Sequence, residues 1–343
     1  MLRLFVLIPY AALALLFVAG FLGRYVRPRR VWGLQIAAVG LPFTALTLAA
    51  LTPVILPLAP ATLTGMHLAM LTLAAVRFVP WRRLVRHRRP TPDSALTVMS
   101  FNAHTRRRTP RRHPLFELLR RERPDVIALQ EPVLANLLPL ARIYPASDPP
   151  FFPEPMRRHY DLPLPFDWLI PNPIVTRLDV LDLRLMPFAE EGIATRARVR
   201  WDGREVAVYD VHLRSFTIAR PWRRRGGPPV AWREQLRRLR DDVRLRADQA
   251  EGLRTLLDAE TLPFLVCGDL NATPHEWAYR RLASGLRDAF AHAGRGWGAT
   301  YHARRPLFRI DYVFASPEWR IHTAHVPAFV LSDHRPVVVR LSL

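Results

Sequence analysis

Residues 194–213 read ATRARVRWDGREVAVYDVHL. Ala194 to Trp201 and Glu205 to Leu213 are two strand-like runs, and the Asp202-Gly203 pair between them suits the positive-φ turn of a two-residue hairpin. Strands joined by so tight a turn run antiparallel, so the sheet they enter is not purely parallel. In the second run Val206, Val208, Asp210 and His212 share one face, and Ala207, Tyr209, Val211 and Leu213 share the other. A carboxylate and an imidazole on an otherwise apolar face have two readings. Asp210 and His212 form a satisfied pair in the core, or His212 reaches out to a ligand.

Outward from this hairpin, short β-rich runs alternate with helical ones. Downstream, Trp232 to Leu257 carries Leu236, Leu239, Val243, Leu253 and Leu256 among its charges and reads as an amphipathic helix, or two. It leads into the strand Phe264 to Cys267, and Ile310 to Ala315 and Pro336 to Leu341 follow as further short strands. Upstream, Leu96 to Phe101 and Val126 to Leu129 read as strands around a helix at Pro114 to Arg121. Hairpin and crossover signals together predict an α/β fold containing mixed sheets. Tyr144 to Pro173, rich in Pro and bulky aromatics without periodicity, reads as a long surface loop.

Polar residues gather where these strands stop. Asn102 ends the first and Glu131 the second; Asp269 and Asn271 follow Cys267-Gly268; Ser332, Asp333 and His334 precede Arg335-Pro336. Taken singly each has an ordinary role, since Asn and Asp favour turns and caps. Taken together they occupy the strand ends at which open α/β sheets hold ligands.

The first 90 residues have a different character. Leu4 to Phe21, Val31 to Ile55 and Leu58 to Val76 are apolar runs of the length that crosses a bilayer as a helix. A cleaved signal peptide accounts for the first run alone, so three transmembrane helices are expected; Pro53, Pro57 and Pro60 also allow the last two to form a re-entrant hairpin. Arg24, Arg27, Arg29 and Arg30 fill the first loop, and Arg82, Arg83, Arg86, Arg88 and Arg89 follow the third run, with no charge in the loop between. The positive-inside rule places both clusters in the cytoplasm and the amino terminus outside. The composition shifts to Pro, Thr, Asp and Ser at Arg89 to Ser94, which divides the chain into a membrane domain, 1–90, and a second domain, 91–343.

Charge must be divided in the same way. The formal net charge is +21, yet eleven arginines and no acidic residue lie before position 91, leaving 39 basic against 29 acidic residues in the remainder. That part is basic but well mixed, which permits an anionic partner without demanding one. The absence of Lys fits codon bias in a GC-rich genome. The apolar half of the chain rules out an intrinsically disordered protein, and the single Cys267 excludes an internal disulfide and a Cys-based zinc site.

The blocks Ser100-Phe101-Asn102, Leu129-Gln130-Glu131, Asp210-Val211-His212-Leu213, Gly268-Asp269-Leu270-Asn271-Ala272, Arg309-Ile310-Asp311-Tyr312 and Ser332-Asp333-His334-Arg335-Pro336 resemble, in order, the endonuclease/exonuclease/phosphatase superfamily of pancreatic deoxyribonuclease, abasic-site endonucleases, inositol-polyphosphate 5-phosphatases and neutral sphingomyelinases. The resemblance covers about Leu96 to Leu343 and implies a four-layer sandwich, two mixed β-sheets flanked by helices. It implies Glu131 as ligand of Mg²⁺ or Mn²⁺ with Asn102 and Asp333 close by, and Asp311 with His334 as a carboxylate–imidazole pair. Asp269 and Asn271 are implied to position the nucleophile and hold phosphoryl oxygens, and His212 to contact the phosphate, with either Asp269 or His334 as the base. Abasic-site endonucleases carry a carboxylate where this chain has His104, which weakens a DNA-repair role.

The expectation is therefore a membrane-anchored, metal-dependent phosphoesterase acting on nucleic acid or a phospholipid or inositol-type ester, with the bilayer as partner and no evident protein partner. A catalytically inactive, membrane-bound phosphate-binding module is the competing reading. Arg214, with Arg220, Arg223, Arg224 and Arg225 beside Phe216 and Trp222, is either a substrate-reading loop or a solvated basic one.

Overall fold

The computed structural model describes residues 2–79, 91–104, 114–132, 172–216 and 232–343. The basic cluster Arg82 to Arg89, the loop residues Arg220, Trp222, Arg223, Arg224 and Arg225, and nearly all of Tyr144 to Pro173 lie outside them. The chain divides into two compact units, one of Met1–Arg88, Phe216–Ala247 and Ala272–Arg280, the other of Arg89–Ser215, Asp248–Asn271 and Arg281–Leu343.

In the first unit the three apolar runs form α1 (Leu2–Gly23), α2 (Gly33–Leu58) and α3 (Ala61–Phe78), each long and apolar enough to cross a membrane. Pro42, Pro53 and Pro57 all lie inside α2, and α3 starts directly after Pro60, its N-cap. The first two helices approach closely at Gly20 and Gly23, where a Cβ would stand 2.7 Å from Ala37 O and 2.4 Å from Leu34 O. The buried His67 of α3 joins all three, its Nδ1 3.1 Å from the Tyr10 hydroxyl and its Nε2 3.0 Å from Thr52 Oγ1. Large apolar side chains such as Ile8, Leu15, Leu46 and Val76 face outward.

The second unit contains two mixed sheets. One has the order β10-β11-β1-β2-β3, from β1 (Leu96–Asn102), β2 (Val126–Gln130), β3 (Ile174–Thr176), β10 (Arg320–His325) and β11 (Val337–Ser342). The other has the order β4-β5-β6-β7-β9-β8, from β4 (Asp179–Ala189), β5 (Gly192–Trp201), β6 (Arg204–His212), β7 (Phe264–Asp269), β8 (Arg287–Asp288) and β9 (Asp311–Ala315). β1 and β2 run parallel, as do β6 and β7, whereas β11 and β9 return antiparallel beside them. The hairpin at 194–213 forms as its turn signal requires, with φ of 49° at Asp202 and 73° at Gly203.

Alternation along the strands builds the core between the sheets. Leu96 and Val98, Val126 and Ala128, Val206 and Val208, Leu265 and Cys267, and Val313 and Ala315 all meet in one buried cluster. On the opposite face of the first sheet, Met99, Phe101, Ile127 and Leu129 pack on Leu115, Leu118 and Leu119 of α4 (Pro114–Glu122). Across the second sheet α5 (Trp232–Asp258) comes so near that a Cβ at Gly252 would stand 1.8 Å from Phe188 O of β4. Helix, sheet, sheet, helix is the four-layer arrangement.

One contact fixes the ends of the central parallel pair. Gly268 adopts φ 155°, and a Cβ there would stand 2.0 Å from Val211 O, its register partner. Backbone on both sides leaves nothing flexible to yield. Gly268→Ala is expected to cost about 3 kcal/mol, read as a lowered unfolding midpoint; a midpoint equal to the unsubstituted protein's contradicts this account of the β6–β7 pairing.

Candidate active site

The inner face of each strand changes from apolar to polar toward one end. In β1 the series is Leu96, Val98, Ser100, Asn102; in β6 it is Val206, Val208, Asp210, His212; in β7 it is Leu265, Cys267, Asp269. In β9 it runs backward, from Asp311 to Val313 and Ala315, as an antiparallel strand must. Because Asp269 sits opposite His212 on one side and Asp311 on the other, pairing alone aligns these three residues. The apolar ends hold the sheets together, and the polar ends meet at one edge of the sandwich.

Asp269 lies at the centre and is almost fully buried. Its Oδ1 accepts from Asn271 N at 2.8 Å, and its Oδ2 accepts from Asn102 Nδ2 at 3.1 Å, a bond that crosses from one sheet to the other. His334 Nε2 and His212 Nε2 each stand 3.7 Å from the same Oδ2. Asn102 Nδ2 also reaches Glu131 Oε1 at 3.3 Å, and His212 Nε2 lies 3.5 Å from that oxygen. Glu131 is the open group of the cluster, its side chain 40% exposed, with His104 Nδ1 2.9 Å from its other oxygen. Asn271 Nδ2 donates to Leu213 O at 2.9 Å and lies 3.0 Å from His212 Nε2. Both Glu131 and Asn271 adopt positive φ, 47° and 48°, a conformation uncommon outside glycine that strand-exit residues at functional sites accept.

On the other side of Asp269, His334 Nδ1 is 2.9 Å from Asp311 Oδ2 and 3.1 Å from Oδ1, and both residues are buried. Burial on its own would lower the imidazole's pKa, but the nearby carboxylates of Asp311 and Asp269 outweigh it and raise it to about 10. The Asp311 carboxyl is itself pushed up by burial, so the pair keeps its proton through the neutral range. Asp269, Asp311 and His334 are also the group of three among the described residues whose donor atoms are close enough together to hold a metal ion.

Beneath this row, Gln130 Nε2 donates to Asp210 Oδ1 at 2.5 Å, a second bond from sheet to sheet between fully buried side chains. Burial raises the Asp210 carboxyl well above its ordinary range, which favours the neutral acid there. Asp210 therefore pairs with Gln130, and the His212 ring belongs to the cluster above. Burial also pushes the Cys267 thiol up, which suits a core side chain and not a nucleophile.

Of the residues singled out in the sequence, Asn102, Glu131, His212, Asp269, Asn271, Asp311 and His334 converge. The Asp333 carboxylate accepts from its neighbour Ser332 Oγ at 3.3 Å. Arg214 extends to Glu191, with Nη1 2.7 Å from Oε2. Two contributors had escaped: Gln130, whose place on the inner face follows from the alternation that buries Ala128, and His104, two residues beyond Asn102 in a segment with no strand pattern.

The chain matches the Endonuclease/Exonuclease/phosphatase family over residues 99–334. Among solved structures, a mannosyl-6-phosphatase from Bacteroides thetaiotaomicron is 16% identical, with a TM-score of 0.50 over 72% of this chain and 100% of that one. An endonuclease/exonuclease/phosphatase from Bacteroides vulgatus is 19% identical, with a TM-score of 0.50 over 73% and 99%. D. rerio TDP2, humanized by 14 mutations, is 16% identical, with a TM-score of 0.51 over 73% and 100%. At such identities the likeness is one of fold. No match is found among curated proteins. The family match spans every residue of the cluster from Asn102 to His334, and the chain belongs to the Endonuclease/Exonuclease/phosphatase family.

Proposed function

We propose that this protein is a membrane-anchored, divalent-metal-dependent phosphoesterase, with residues 1–90 as the membrane part and 91–343 as the catalytic part. The observation that carries the reading is the convergence of Glu131, Asn102, Asp269, Asn271, His212 and the Asp311–His334 pair at one edge of the sandwich. Hydrolysis of a phosphate ester needs a cation on a non-bridging oxygen, donors for the charge that develops, and a base for water. This set supplies all three, which argues against an inactive binding module.

The donor chemistry fits a hard cation such as Mg²⁺ or Mn²⁺, because oxygen predominates and no Cys takes part. Glu131 is the open carboxylate, with Asn102 beside it. As oriented, Asn102 turns its Nδ2 to the two carboxylates while its Oδ1 accepts from His104 N at 3.2 Å. Asp269, Asp311 and His334 form the closer cluster, but there the proton on His334 already offsets the charge. Asp333 completes the expected ligand set. When bound, the metal draws charge from the phosphoryl group.

The protein's own residues divide the remaining work. A ring that keeps its proton to about pH 10 donates to a phosphoryl oxygen and does not take a proton from water. The base is then Asp269, whose Oδ2 takes the proton while Asn271 N and Asn102 Nδ2 fix its orientation. Asn271 and His212 face the remaining oxygens, and Arg214, expected to read the substrate, is held by Glu191. Arg24 and Arg77 both donate to Pro274 O, so the ends of α1 and α3 share a side, and their basic character supports a multi-pass protein with this side in the cytoplasm.

The full-length protein in detergent with Mg²⁺ is expected to hydrolyse an aryl phosphodiester or monoester, and Glu131→Gln to lower kcat/KM about 10²- to 10³-fold with the fold intact. Full activity in excess chelator contradicts the metal requirement. In the metal-free protein the His334 ring, followed by NMR, is expected to stay an imidazolium through neutral pH and titrate near pH 10, against an ordinary value of 6.5. The raised value means that its contribution to stability is complete below pH 6.5 and lost as pH rises through about 10. Asp311→Ala moves the titration down. His334→Ala and Asp311→Ala together cost little more activity than His334→Ala alone; titration near 6.5, or additive losses, contradicts a working pair.

A further inference from the structure

The residues directly after the catalytic loop are fastened to the basic ends of the apolar helices. Pro274 O accepts from Arg77 Nη2, in the last turn of α3, at 2.6 Å, and from Arg24, the first residue after α1. Trp277 N donates to Oε1 of the buried Gln35 of α2 at 3.0 Å, and Gln35 Nε2 returns to Gly23 O at 2.6 Å. Aromatic contacts surround these bonds: Arg24 lies over Tyr279, Arg27 over Trp277 and Arg280 over Tyr25, while Phe78 meets His275 edge-on at 5.0 Å. Within the segment, Glu276 accepts from Thr273 N at 2.6 Å and pairs with the buried Arg246. Segment 273–280 is therefore built into the same compact unit as the apolar helices.

Three peptide links separate Asn271 from Pro274. However the two units are arranged, a chain that long cannot carry Asn271 more than about 11 Å from Pro274. Arginines and aromatic residues at the ends of membrane-crossing helices lie at headgroup level, in a zone some 5–8 Å deep on each side of the hydrocarbon core. Covalent reach therefore holds the phosphate-contacting Asn271 close to the lipid phosphates.

We propose that the substrate is a phosphate ester borne by a bilayer lipid, a class that follows from the phosphoesterase reading above and fails with it. Water adds to phosphorus, the ester oxygen leaves with a proton, and one of the two products stays in the membrane. A nucleic acid is disfavoured on the same geometry. A polyanion would have to approach the anionic cytoplasmic leaflet, and Arg24, Arg27, Arg77 and Arg280 are engaged with Pro274 and the aromatic rings instead of forming a row that tracks a backbone.

The test uses the full-length protein in nanodiscs with Mg²⁺ and one reacting group in two settings: a 4-nitrophenyl phosphodiester of a dialkyl glycerol in the bilayer, and its short-chain, water-soluble counterpart. Expected are a kcat/KM at least tenfold higher for the bilayer-borne ester and a rate that follows its mole fraction in the bilayer at constant bulk concentration. Gln35→Ala with Arg77→Ala, which unfastens segment 273–280, lowers that preference several-fold and leaves the soluble-ester rate unchanged. Equal or faster hydrolysis of the soluble ester or of an oligonucleotide overturns the lipid assignment and leaves the phosphoesterase reading standing, and so does a preference unmoved by the double substitution. Hydrolysis of none of them overturns both.

Discussion

The hydrogen bond from Asn102 Nδ2 to Asp269 Oδ2 joins the last residue of β1 to the last residue of β7, on different sheets. A buried carboxylate is expensive unless its lone pairs are filled, and here the donors come from the opposite sheet and from Asn271 N. The sandwich must therefore be closed for Asp269 to be satisfied. Gln130 and Asp210 repeat the connection one step deeper. Two polar bridges at one edge of an otherwise apolar interface set the register of the sheets there, and the candidate active site lies at the same edge.

The environment of each carboxyl group separates its role. Asp210, fully buried and bonded to the neutral amide of Gln130, is pushed by burial toward the protonated acid and supports from below. Asp311 is buried against His334 and is committed to the imidazole. Glu131 is open enough to accept a cation, and Asp269 lies among all of them. Acidic side chains of one kind thus acquire different work from burial and partners, without any change of chemistry.

Much of this was legible in the sequence because a strand's period of two places residues on a face without knowledge of the fold. Val206, Val208, Asp210 and His212 had to point the same way, and the Asp202-Gly203 turn had to make a hairpin. The ordered blocks carried the family, and with it the layers. What the period does not hold is who meets whom across the sheets: on paper the one partner offered to Asp210 was His212, and Gln130, from the other sheet, is the side-chain partner it has. β4 was missed because it lies at a sheet edge, half exposed, with Asp182, Arg184 and Pro187 interrupting its pattern. The prolines of α2 suggested a turn because local propensity penalises them in water-exposed helices, whereas an apolar helix packed on its neighbours keeps them in place. The joining of segment 272–280 to the apolar helices is a contact across more than two hundred residues, for which no local pattern exists.

We propose that the open carboxylate of Glu131 makes this edge a cation site. Isothermal titration of Mn²⁺ into the metal-free full-length protein reads that directly, without substrate. One site is expected in the unsubstituted protein, lost or weakened at least tenfold in Glu131→Gln, with release of less than one proton at pH 7 because His334 keeps its own. Equal binding by Glu131→Gln, or loss of the site only when Asp311 or His334 is replaced, contradicts the account and moves the cation to the buried cluster.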